Sequence, residues 1–96
     1  MAHYKSEYEN YIMVCQGTKM LRGTYPAFLK TKALMSTLTS MAQKQSNTYT
    51  YNGELYVSKL TSSEILKIQS AFDYGTYNSS VEKLKYIFID IGDRLF

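Results

Sequence analysis

Thr48–Lys59 reads TYTYNGELYVSK, and this stretch decides the fold. Asn52-Gly53 separates two runs rich in tyrosine, threonine and valine. Asn and Gly both accept the positive φ that a two-residue type I′ turn requires, so the stretch predicts a β-hairpin. A two-residue loop pairs Tyr51 with Glu54, Thr50 with Leu55, Tyr49 with Tyr56, and Thr48 with Val57. Side chains alternate along a strand. Tyr49, Tyr51, Glu54 and Tyr56 therefore share one face, and Thr48, Thr50, Leu55 and Val57 share the other. A lone hairpin is marginal in water, so one face has to lie on the rest of the chain. The aliphatic pair Leu55 and Val57 makes the second face the more apolar. The expectation is that this face is inside and that the three tyrosines are partly exposed.

Helical periodicity surrounds the hairpin. Tyr4, Tyr8, Tyr11, Ile12 and Cys15 follow a 3.6-residue period and predict a helix over residues 3–16. Pro26 suits a first helical turn. Ala27, Phe28, Leu34, Met35, Leu38, Met41 and Ala42 then form one stripe of a second helix over 26–45. This segment is rich in Ser and Thr, which lowers its helix propensity, so packing has to hold it. After the hairpin, Thr61-Ser62-Ser63-Glu64 has capping-box spacing. It opens a third helix over 62–73, with Ile65, Leu66, Ile68 and Phe72 inward and Gly75 as its stop. Ser79-Ser80-Val81-Glu82 repeats the cap spacing before a fourth helix over 80–95. Tyr86–Ile91, YIFIDI, also suits a strand, and the start signal favours helix. The expected fold class is α+β: one small domain over residues 1–96, ordered helix-helix-hairpin-helix-helix. The expected core is Tyr8, Ile12, Phe28, Leu34, Leu38, Met41, Leu55, Val57, Ile65, Phe72, Leu84 and Phe88.

Composition bounds the function classes. Ninety-six residues with 45% apolar and 20% charged side chains are those of one globular domain. Ten Tyr, four Phe and no Trp give aromatic rings that mostly carry a hydroxyl, suited to core edges and interfaces. A single cysteine excludes an intramolecular disulfide and a multi-cysteine zinc site. No apolar run is long enough to span a bilayer, and the N-terminal residues lack a signal-peptide core. A cytoplasmic location is the simplest expectation.

The net charge of +3 is unevenly spread. No Asp or Glu lies between Glu9 and Glu54, whereas Lys19, Arg22, Lys30, Lys32 and Lys44 fall there. An anionic partner would favour this half. Gly17–Thr24 is expected to be a flexible loop. Its glycines are six apart, no lysine follows the second, and a helix precedes it, so it is not a phosphate-binding loop.

No catalytic or metal motif emerges. His3, the single histidine, has no cysteine or carboxylate pair beside it. Cys15 on an apolar stripe reads as a small hydrophobe. Neither Asp90 with Asp93 nor Glu7 with Glu9 has the further oxygen ligands that a divalent ion needs. The expectation is a non-enzymatic binding protein without cofactor, metal or membrane contact. A protein partner or self-association is favoured, as for an inhibitor or adaptor. The candidate partner-binding residues are Tyr49, Tyr51, Tyr56, Lys19, Arg22, Lys30 and Lys44. The alternative is a nucleic-acid binder, with the basic 17–44 region on phosphates and the hairpin tyrosines stacked on bases. Size and a Lys-, Tyr- and Ser-rich composition resemble those of small phage and mobile-element proteins, although no motif carries that likeness.

Overall fold

The structure, a computed structural model, describes residues 6–93. Helix α1 spans Glu7–Cys15 and α2 Tyr25–Gln43. Strands β1 (Thr48–Tyr51) and β2 (Glu54–Val57) follow, then α3 (Ser62–Tyr74). A short 3-10 helix, Ser79–Lys83, runs into α4, Leu84–Ile91. This is the helix-helix-hairpin-helix-helix order of a small α+β domain, with YIFIDI helical.

Local chemistry accounts for the boundaries. The hairpin register is Tyr51↔Glu54, Thr50↔Leu55, Tyr49↔Tyr56 and Thr48↔Val57. Asn52 and Gly53 take φ of 52° and 80°, the two positive values of a type I′ turn. Thr61 caps α3 reciprocally: its hydroxyl accepts from the Glu64 N–H at 3.1 Å, and its own N–H donates to Glu64 Oε1 at 2.9 Å. Gly75 stops the helix in the left-handed region at φ 68°.

Two helix starts differ from the sequence reading. The cap of α1 is Ser6, in a capping box with Glu9, so the helix begins there and residues 3–5 lie outside the described residues. Before α4 the capping side chain is that of Asn78, which accepts from the Ser80 N–H at 3.0 Å. An Asn amide oxygen two residues upstream reaches this donor, and the segment opens as a 3-10 helix. Gly92 ends α4 at φ 71°, short of the expected residue 95; residues 94–96 lie outside the described residues.

The core lies between α2 and α3; α1 packs on both, and Leu84, Ile87 and Phe88 of α4 join the same buried cluster. Leu34, Leu38, Ile65, Ile68, Leu84 and Ile87 are fully buried there. On α1 the deepest side chains are Tyr11 and Val14, while Tyr8, Ile12 and Cys15 pack only partly against the cluster. The buried stripe is thus rotated from the expected one. Leu66 faces solvent, and Ala71 takes an inward place on α3.

The largest correction concerns the hairpin. Tyr49 is 3% exposed, and Tyr51 and Tyr56 pack against the core, whereas Leu55 and Val57 are 71% and 62% exposed. The tyrosine face is the inner one. A strand's period of two makes the choice all-or-none, so turning Tyr49 inward sends Leu55 and Val57 to solvent. Ring area decides it. Three tyrosines bring far more contact surface than one leucine and one valine. Tyr49 and Tyr56 also stack across the strands at 5.4 Å between ring centres.

The 17–24 loop is also not the loose segment expected. Met20 and Leu21 are buried. The Tyr11 hydroxyl donates to the Arg22 carbonyl at 2.6 Å, and that of Tyr8 to the Gly23 carbonyl at 3.2 Å. Gly17 lies so close to Tyr77 that an added Cβ would fall 2.3 Å from the ring.

Candidate functional site

Three features converge on the outside of the hairpin. The first is the exposed aliphatic pair. Leu55 and Val57 stand two residues apart on one strand face, beside Thr50 and Thr48 across the ladder. Among the described residues, the other exposed large apolar side chains, such as Met13, Leu29, Leu66 and Ile89, sit on the helices.

The second feature is a groove of about 530 Å³ between α2 and β1. Ser36, Thr37, Ser40 and Lys44 form its helical wall, and Thr48 and Thr50 line the strand side with Leu55. The Ser and Thr residues that weaken the helix propensity of α2 therefore supply hydroxyls to an open surface.

The third feature is an asymmetry between the two strand edges. The Ser58 N–H donates to the Asn47 carbonyl at 2.8 Å. Hydrogen-bonded pairs alternate along an antiparallel ladder, so Glu54, Tyr56 and Ser58 turn their backbone groups toward β1. Leu55 and Val57 turn theirs outward. On β1, Thr48 and Thr50 are the outward residues. The Ser46 hydroxyl accepts from the Thr48 N–H at 3.2 Å and lies 3.4 Å from the Thr48 carbonyl as a donor. That serine occupies the start of the β1 edge, and α2 packs along the same strand. Nothing comparable covers the outward groups of Leu55 and Val57 among the described residues.

Below the ladder, the tyrosine face meets the C-terminal end of α4. Burial, then the nearby Asp90 charge and Tyr56, push the Tyr49 hydroxyl up to about 12. Its oxygen is buried without a hydrogen-bond partner. Tyr51 is raised by burial and by Asp93; Tyr56 is raised by desolvation and by the Glu54 carboxylate that accepts its hydroxyl at 3.1 Å. Lys59 pairs with Asp90 at 3.0 Å.

The predicted site residues separate into groups. Tyr49 and Lys44 border the groove, Tyr49 from beneath. Tyr51 and Tyr56 belong to the inner face. Lys30 lies 3.9 Å from Asp93. Lys19 and Arg22 are exposed on the α1–α2 loop, at the other end of α2 from Lys44. The basic residues thus do not form one patch around the tyrosines. Sequence reasoning missed Leu55, Val57 and Ser46 as surface features. The Ser46-Asn47-Thr48 run before the strand was the available signal for the edge contact, since Ser bonds readily to backbone two residues on.

A larger cleft of about 700 Å³ lies between α1, α2 and α3, floored by Tyr11, Phe28 and Phe72. Its rim is occupied by internal pairs: Lys32 with Glu7 at 2.6 Å, and Gln69 with Asp73 at 2.7 Å. Thr31 lines it, with a buried hydroxyl that has no partner of good geometry. Burial strongly raises the Tyr11 hydroxyl there, and a nearby Cys15 adds to it. Burial likewise raises the Cys15 thiol, which keeps it protonated near neutral pH. Among the described residues no cluster of His, Cys, Asp and Glu could hold a metal ion, and no helix is long and apolar enough to cross a membrane. Comparison with known protein families, with curated proteins and with solved structures finds no match.

Proposed function

We propose that the chain is a non-enzymatic protein-binding module, an inhibitor or adaptor, that meets its partner through the outer face of the hairpin. The observation carrying this reading is the exposure of Leu55 and Val57, side by side on one strand. Apolar side chains grouped on a rigid surface stabilise association by leaving water. The groove along α2 gives this face relief, and its hydroxyls and Lys44 supply a polar rim, as interfaces commonly have. The chemistry of the other candidates supports binding over catalysis. The Cys15 thiol is held protonated, and Glu7, Asp90 and Asp93 are each engaged by a lysine.

The test is capture from the source cell with tagged wild type and a Leu55→Asp/Val57→Asp variant, with nuclease added to both. Because both side chains are exposed, the variant should unfold at close to the wild-type denaturant midpoint. The expected result is a partner held by the wild type, resistant to nuclease, and lost by the variant. A folded variant that retains the same partner overturns the reading.

A further inference from the structure

Resting on the reading of the outer hairpin as an interface, we infer that the open edge of β2 pairs antiparallel with β2 of a second copy of this chain, about a twofold axis at Tyr56. Two-stranded sheets have two edges, and natural proteins usually guard them with proline, charge or a covering element. Here β1 is guarded by Ser46 and α2, whereas β2 carries no proline, and its one charged residue, Glu54, lies at the turn end of the strand, outside the Leu55–Val57 stretch. Its outward backbone groups belong to Leu55 and Val57.

That pattern is its own complement. With the axis at Tyr56, Leu55 of one copy stands opposite Val57 of the other, and each pair exchanges N–H and C=O bonds. Other registers fit less well. An axis at Leu55 would place Val57 against Gly53, which the turn holds at φ 80°. An axis at Val57 would place Leu55 against Lys59, beyond the point where the Ser58 side chain bonds Leu60 N–H and C=O and bends the chain. Only the Tyr56 register uses both open residues and avoids the turns.

The side chains agree with this pairing. Leu55 and Val57 of the two copies meet on the outer face as one apolar cluster. Charge permits it as well: Glu54 stands opposite Ser58 of the other copy, and Lys59 opposite Gly53, so no like charges face each other. The strand is four residues long. Its edge buries less than the roughly 1,200 Å² of a standard stable interface, so the dimer is weak and forms as concentration rises.

The experiment is sedimentation of the full chain from micromolar to millimolar concentration, for wild type and Val57→Pro. Proline removes an N–H that faces away from β1, so the hairpin keeps its internal ladder. In parallel, Tyr56→Cys and Thr50→Cys are each oxidised in a Cys15→Ala background. Tyr56 on the axis falls opposite itself in a non-hydrogen-bonded pair, with Cα atoms about 4.5 Å apart, within disulfide reach. The expected results are reversible dimerisation, at least tenfold weaker in Val57→Pro, and a disulfide-linked dimer through position 56 but not position 50. A chain that stays monomeric at millimolar concentration overturns the inference, as does dimerisation unchanged by Val57→Pro. If the chain is monomeric while Leu55→Asp/Val57→Asp still loses its partner, this inference fails and the proposed function stands. If dimers form through position 56 while that variant keeps its partner, the reverse holds.

Discussion

The two faces of the hairpin, one aromatic and one aliphatic, have opposite fates. Tyr49, Tyr51 and Tyr56 pack inward against the core, and Leu55 and Val57 stand in water. Per-residue hydrophobicity alone would have chosen the other arrangement. A short sheet is thus oriented by the total area its face can cover. A tyrosine ring covers more than an aliphatic side chain, and its hydroxyl can sit at the edge of the core. The same hairpin is asymmetric sideways, closed at β1 by Ser46 and open at β2. Inward area and outward openness together make the hairpin both a structural cover and a candidate binding surface.

The largest effect is expected at Tyr49. Tyr49→Ala should destabilise the fold by about 3–5 kcal/mol, the range for removing a buried aromatic, as read from urea midpoints. A cost below about 0.5 kcal/mol would place the ring on the surface.

Alkaline titration sharpens the same point. The ordinary tyrosine value is 10.0, and the folded protein holds the Tyr49 proton up to about 12. Between these values the unfolded chain binds fewer protons than the native one, so stability falls as pH rises. The stabilisation is fully present below pH 10 and is lost as pH passes through about 12; Tyr51 and Tyr56 shift in the same direction. Tyr49→Phe should flatten part of this slope, measured by denaturation at stepped pH. Its unpartnered hydroxyl means that the substitution itself should be neutral or slightly stabilising at neutral pH.

The edges differ by less. Ser46→Ala should cost about 0.5–1.5 kcal/mol, the value of a hydrogen bond, and should speed exchange of the Thr48 amide. Smallest of all, Leu55→Thr and Val57→Thr should each change stability by no more than about 0.5 kcal/mol while weakening partner capture. A large loss of stability in either would mean that the outer face is covered within the monomer.

Much of the fold was legible because its signals are local. Asn52-Gly53 specifies its turn, Thr61 and Glu64 cap each other, and Gly75 supplies the stop for α3. The α2 stripe from Ala27 to Ala42 emerges as written, because a long amphipathic period survives small errors of phase. The nine-residue α1 does not have that tolerance, and its stripe is centred on Tyr11 and Val14. Which hairpin face is inside depends on what α2 and α4 present to it, and no residue of the hairpin encodes that alone. The candidate site inherited the same gap. An inward Leu55 and Val57 would put Tyr49, Tyr51 and Tyr56 outside, and the edge contact of Ser46 depends on the strand register.

Amide exchange along β2, resolved residue by residue in dilute and in concentrated solution, reports whether the β2 edge is open in the single chain and paired in the dimer. In dilute solution Glu54, Tyr56 and Ser58 should be protected and Leu55 and Val57 should exchange freely, because only the first set faces β1. At high concentration protection should appear at Leu55 and Val57. Protection of Leu55 and Val57 already in dilute solution would mean that the β2 edge is closed within the single chain and not open to a second copy.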